Sequence, residues 1–242
     1  MNDLIHSIRE RYLFTLERIA AAARESARSP ASVRLVVVTK GQSLEVTRAT
    51  IEAGVKILGE NYADEGVTKI QSMRENSGVE WHMIGHVQSR KAALVARHYN
   101  FMHSLDSLKL AKKLDGLCAG EGRNLPVLLE FNVGGEESKS GWPAWDEANW
   151  VELENDISSI LALKNLDVRG LMTMPPIGES AEFSRPYFQR LRRLQLQLMT
   201  RFPQAAWTEL SMGTSTDYEV AVQEGATLVR VGTAIVGARP LA

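Results

Sequence analysis

The chain has 242 residues, of which 44% are hydrophobic and 24% charged, and its formal net charge is -1. That is the composition of an ordinary globular protein, and the near balance of charge leaves no electrostatic footprint for nucleic acid or an anionic membrane. Cys118 is the only cysteine, which excludes an intrachain disulfide, and no apolar run approaches membrane-spanning length.

Asp3, Arg9, Glu10 and Arg11 stand where a secretion signal needs an apolar core, so a cytoplasmic protein is expected. Ile5, Ile8, Tyr12, Leu16, Ile19 and Ala23 recur at helical spacing and predict an amphipathic helix over 2–27, broken by Ser29-Pro30. Beyond it, short apolar runs alternate with helical patterns. The predicted strands are 34–39, 56–61, 80–85, 101–106, 126–133, 168–174, 209–213 and 228–231. The predicted helices that separate each consecutive pair are 43–53, 64–76, 89–98, 107–119, 145–163, 181–202 and 216–224. The last of these opens on a capping-box pattern, Thr216-x-x-Glu219, and closes at Gly225. Residues 134–150, GGEESKSGWPAWDEANW, read as a loop packed down by its own tryptophans.

Strands buried on both faces and joined by helices imply parallel β/α architecture. Eight such units in a chain of this length are the pattern of a closed (β/α)8 TIM barrel. A doubly wound open sheet is the competitor, but it calls for a glycine-rich turn after the first strand, where this chain has Thr39-Lys40. The expectation is one α/β domain over 1–242, a barrel with an extra N-terminal helix.

A barrel places its functional groups at the C-terminal ends of its strands. Lys40 closes the first strand and Asn61 the second, while His82 and His86 flank the end of the third. Ser211 and Gly213 close the seventh, and Arg230, Gly232 and Thr233 the eighth. Glycines that allow close approach, with hydroxyls and unpaired N–H groups, make the last two segments a candidate phosphate cradle. Lys40 leaves a buried strand, where apolar walls favour a neutral, nucleophilic amine; the alternative is a lysine that only snorkels to solvent. Arg230, lodged among valines, needs acceptors: either a ligand atom or a barrel-interior carboxylate such as Glu130 or Glu60. His82 and His86 have zinc-like spacing without the supporting glutamate, so no metal is expected, and His6, His98 and His103 lack a constellation. Ser211 and Asp217 lack the Gly-x-Ser-x-Gly elbow of a hydrolase.

With VVVTK (36–40), GENYADE (59–65), WHMIGHVQSRK (81–91), LMTMP (171–175) and the block 209–237, the chain resembles the pyridoxal phosphate homeostasis proteins, the YggS/PROSC-type PLP-binding family. The resemblance runs from about residue 5 to Arg239. It implies a fold-type III barrel, like the N-terminal domain of alanine racemase, that holds pyridoxal 5'-phosphate (PLP) as a Schiff base. By position, Lys40 resembles the family's Schiff-base lysine and Asn61 its pocket asparagine. Ser211, Gly213, Gly232 and Thr233 resemble the phosphate binders, and Arg230 the partner of the ring nitrogen. Thr214, Ala63-Asp64 and Arg90 depart from the usual pattern, and none of them is an inferred binding residue. The function implied is a PLP carrier or reservoir, a monomer that serves PLP-dependent apoenzymes and has no firm turnover. An amino-acid racemase is the alternative, and a barrel enzyme for another phosphorylated metabolite is a third reading. Because the sequence stops at Ala242, shortly after the eighth strand, the second domain of a racemase is not expected.

Overall fold

The alternation of apolar runs and helical patterns is realised as a closed barrel in the computed structural model, which describes residues 1–75 and 78–239. The strands are β1 (Arg34–Val38), β2 (Ile57–Glu60), β3 (Glu80–Met83), β4 (Phe101–Leu105), β5 (Leu125–Asn132), β6 (Trp142–Pro143), β7 (Leu166–Met172), β8 (Glu209–Ser211) and β9 (Leu228–Val231). All except β6 form the ring β1-β2-β3-β4-β5-β7-β8-β9, with β9 returning to β1 and every pairing parallel. Among the described residues this is an eight-strand (β/α)8 barrel.

The helices are α1 (Asn2–Glu25), α2 (Leu44–Glu52), α3 (Ala63–Ser72), α4 (Ala92–His98), α5 (Leu108–Gly120), α6 (Glu154–Leu161), α7 (Arg185–Arg201), α8 (Tyr218–Gln223) and α9 (Thr233–Val236). Local chemistry sets several of their starts. The Ser43 hydroxyl accepts from the Val46 N–H and that of Ser107 from the Leu110 N–H, each capping an orphan donor. Side chains that alternate along each strand build two apolar layers. The outer one, with Leu35, Val37, Leu129 and Val229, packs against the helices. The inner one, Val36, Phe101, Leu128, Met172 and Leu228, fills the barrel. Each such buried side chain stabilises the fold by roughly 1.5–3 kcal/mol.

Several boundaries differ from the sequence expectation. The first helix stops at Glu25, before Ser29-Pro30, with Ala27 in the left-handed region at φ 55°. The predicted 145–163 and 181–202 helices begin as 3-10 turns, Glu147–Leu153 and Ala181–Ser184. The helix predicted over 64–76 runs Ala63–Ser72, and residue 76 lies outside the described residues. Thr216 does not cap α8: the helix starts at Tyr218 and Glu219 turns outward to Arg18 at 2.6 Å. In the loop 134–150, Trp142 and Trp150 are buried, their indole N–H groups donating to Asp156 (3.0 Å) and the Ala144 carbonyl (3.1 Å). Trp145 is exposed, and the pairing of β6 with β5 is an addition to the predicted elements, as is α9. No helix among the described residues is long and apolar enough to cross a membrane.

Candidate functional site

β8, β9, β1 and β2 are consecutive in the ring, so Ser211, Arg230, Lys40 and Asn61 arrive at neighbouring strand ends. Val37 is paired with Val231, so the residues that follow them, Val38 and Gly232, are neighbours; a Cβ on Gly232 would lie 3.2 Å from the Val38 carbonyl oxygen. Lys40 stands two residues beyond Val38. Its amine is pushed below the ordinary lysine range by burial first, then by the charges of Arg239 and Arg230, with Glu60 opposing.

A buried ion network clamps the turn that carries Lys40. The Lys69 ammonium, which is buried, donates to the Thr39 carbonyl (2.6 Å), to Glu60 (2.9 Å) and to Glu65 (2.6 Å). Glu60 also accepts from the Thr39 hydroxyl (2.6 Å), and Glu65 from the Gly41 N–H (2.7 Å). Residues on both sides of Lys40 are therefore tied to α3. Burial pushes the Glu60 carboxyl upward against the pull of Lys69.

Two loops meet beside this turn. Gly213 sits at φ +90°, and a Cβ there would lie 2.5 Å from that of Ala221 and 2.9 Å from the Tyr218 Cα, so only glycine fits. Asp217 gathers the following loop by accepting from the Thr214 N–H (2.7 Å) and hydroxyl (3.0 Å). That places the Ser215 hydroxyl to accept from the Gly232 N–H at 3.2 Å, with the Thr233 hydroxyl 3.4 Å away. The result is a cradle of backbone N–H groups and small hydroxyls, suited to an anion.

Ser211 is placed differently from the phosphate-side role implied by the resemblance. Its side chain is fully buried inside the barrel, accepting from Arg230 Nη1 and lying 2.8 Å from His103 Nδ1. The cradle hydroxyl of that loop belongs to Ser215, because the chain reverses at Gly213 between them.

Arg230 is buried and its Nη2 donates to the Thr173 carbonyl and Met174 sulfur, both at 2.9 Å. Glu60 is committed to Lys69 and Thr39, and no ion pair joins Arg230 to Glu130 among the described residues. Burial pushes its pKa down to about 10, partly offset by Asp217 and Glu130, so the guanidinium stays protonated at neutral pH. Glu130 itself is buried, with one carboxylate oxygen that has no hydrogen-bond partner among the described residues. Burial, then the charge of Asp106, pushes its pKa up to about 7.

His82 and His86 part company. His82 is buried against His103 (2.9 Å), whereas His86 sits exposed on the rim with Asp106 at 2.6 Å. His103, which showed no constellation in the sequence, joins His82 to Ser211. Asn61 lies on an open groove at the rim, beside Tyr62, His86, Gln88 and Arg90.

The profile of the alanine racemase N-terminal domain matches residues 15–240, which include every site residue above. The pyridoxal phosphate homeostasis protein of Vibrio alginolyticus is 39% identical over 236 residues, covering 96% of this chain and 98% of its own. The chain belongs to the pyridoxal phosphate homeostasis protein family. The Escherichia coli K12 protein of the same description is 37% identical over 244 residues, covering 99% and 98% of the two chains. The structure of PipY from Synechococcus elongatus PCC7942 with PLP bound superposes with a TM-score of 0.79 at 32% identity, over 92% of this chain and 99% of that one.

Sequence reasoning missed Ser215, Lys69 and His103. Ser215 carried a signal, since it lies four residues beyond Ser211 in the same hydroxyl-rich segment. Lys69 carried only its i,i+4 spacing from Glu65 on the predicted helix, and His103 carried none, because Glu60 and Ser211 are brought to them only by packing and by the closure of the barrel.

Proposed function

We propose that this chain binds pyridoxal 5'-phosphate and serves intracellular PLP homeostasis, as a carrier or reservoir of the cofactor. The observation that carries the reading is the convergence of an amine, an anion cradle and a buried guanidinium on β1, β8 and β9, which are neighbours in the barrel. PLP brings an aldehyde, a phosphate and a ring nitrogen, and these three groups match that donor set.

Lys40 supplies the amine for covalent attachment, and burial favours the neutral form that attacks a carbonyl. Gly213, Ser215, Gly232 and Thr233 hold the phosphate, chiefly through backbone N–H groups. Arg230 faces the ring nitrogen; its Nε–H has no acceptor among the described residues, while Nη1 and Nη2 are held by the protein. Ser211 acts by holding Arg230, and Asn61 flanks the cofactor at the rim. A protonated guanidinium donates to the nitrogen without giving up a proton, so the site binds the ring without making it a strong electron sink. The work is that of one domain, residues 1–242, in the cytoplasm, acting as a monomer that passes PLP to dependent apoenzymes.

Borohydride reduction of the PLP-loaded protein followed by peptide mapping should place the trapped label on Lys40. Reproducible labelling of another lysine at full occupancy overturns the assignment. Incubation with L-amino acids in deuterium oxide should show no Lys40-dependent α-proton exchange at ordinary enzyme rates, about 1 per second or faster. Exchange at that rate would replace the carrier reading with a racemase one.

A further inference from the structure

Four hydrogen bonds link Glu80, at the start of β3, to Arg230 on β9 through the barrel interior. Glu80 Oε2 lies 3.2 Å from His82 Nε2, and His82 Nδ1 lies 2.9 Å from His103 Nε2. His103 Nδ1 lies 2.8 Å from Ser211 Oγ, which accepts from Arg230 Nη1. We propose that Glu80, His82 and His103 are positioning residues: they fix the direction of one continuous hydrogen-bonded chain and thereby the orientation of the Arg230 guanidinium.

The ends determine the direction. A guanidinium can only donate and a carboxylate can only accept. With Glu80 taking the His82 Nε2–H, His82 Nδ1 is bare and accepts the His103 Nε2–H. His103 Nδ1 is then bare and accepts the Ser211 hydroxyl proton. That rotation turns the lone pairs of Ser211 toward Arg230. Every donor in the chain meets one acceptor, and both imidazoles are neutral with the proton on Nε2. Burial, the leading influence on each ring, disfavours the imidazolium of His82 and His103 alike.

The two ends also differ in surroundings. His82, His103, Ser211 and Arg230 are all buried, whereas the Glu80 side chain is 55% exposed at the N-terminal end of the barrel. A residue reachable from the opposite end of the barrel thus sets whether the Ser211 hydroxyl proton points to His103 and leaves the oxygen lone pairs free for the arginine. The chain of bonds stands independently of any ligand. Only its consequence, the aim of Arg230 at a ring nitrogen, rests on the PLP reading.

Two measurements test the proposal. Nitrogen-15 NMR of ligand-free protein labelled at histidine should show His82 and His103 as neutral, Nε2-protonated tautomers at pH 7. A proton on Nδ1 of either ring, or an imidazolium, overturns it. Glu80→Ala changes a half-exposed side chain, so the barrel should still form, and both rings should then lose their single tautomer. That variant should bind PLP roughly tenfold more weakly, the scale of one charge-assisted hydrogen bond. It should bind a 1-deaza analogue, with carbon in place of the ring nitrogen, as wild type does. Glu80→Gln, which keeps an acceptor oxygen, should restore most of the difference. Unchanged tautomers in Glu80→Ala, or equal losses for both ligands, overturn the proposal. If wild-type protein binds neither ligand, the PLP reading fails, while the histidine tautomers still decide the relay.

Discussion

Ser211 and Ser215 show how much the placement of a single hydroxyl decides. They lie four positions apart, one at the end of β8 and one in the loop after it, yet one is buried against Arg230 and the other meets the Gly232 N–H. Ser215→Ala combined with Thr233→Val should therefore weaken PLP binding by about 1–3 kcal/mol per lost contact, while leaving pyridoxal, which has no phosphate, nearly unaffected. Fluorescence titration of both ligands checks this, and equal losses for the two would move the cradle elsewhere. Glu130 provides a pH-dependent counterpart. Its carboxyl is raised in the folded protein from 4.5 to about 7, so ionisation is penalised by folding. The stability it contributes is complete below the unfolded value and is lost as pH rises through the folded one. Glu130→Gln should therefore be more stable than wild type above pH 7, by about 2–3 kcal/mol, and the gain should vanish near pH 4. Urea denaturation of ligand-free protein across that range reads the difference.

At the scale of elements, the turn after β1 is shaped less by its own residues than by α3. Lys69 reaches back from the helix to the Thr39 carbonyl, and Glu65 receives the Gly41 N–H, so the turn is tied to the helix on both sides of Lys40. Lys69→Met should cost about 3–5 kcal/mol, because Glu60 would remain buried without its cation. It should also slow covalent attachment of PLP at Lys40, measured by the growth of the absorbance of the bound cofactor. A stable variant with normal attachment would show that the clamp is dispensable. The same helix explains Gly66, where a Cβ would lie 1.9 Å from the Tyr99 hydroxyl oxygen: α3 is seated against the barrel too closely for any side chain there.

For the whole molecule, the site exists because the first and last strands pair, bringing Lys40 beside Arg230 and Gly232 across nearly the full length of the chain. A ligand that bridges β1, β8 and β9 fastens that closing seam. Saturation with PLP at a hundredfold excess over its Kd should stabilise the folded state by about 2.7 kcal/mol. For a chain of this size that is a rise in Tm of roughly 5–10 °C. Lys40→Ala should retain part of that rise through the phosphate contacts, and differential scanning calorimetry separates the two. A wild-type Tm indifferent to PLP would remove the carrier reading.

The sequence by itself favoured the barrel over an open sheet, since apolar runs of strand length alternating with helical periodicity are a local signal. It also pointed to Lys40, Arg230 and the two glycine-hydroxyl segments, whose residue types are unusual where they stand. Only the tertiary structure decided which hydroxyl serves which partner, and that Lys69, Glu60, His82 and His103 support the site. The reason is physical. Hydrophobic patterning repeats every two or 3.6 residues and can be read locally, whereas the partner of a buried polar group is set by strand register and ring closure. His103 and Ser211 are 108 residues apart in the chain, and their hydrogen bond exists only because the barrel closes in this register.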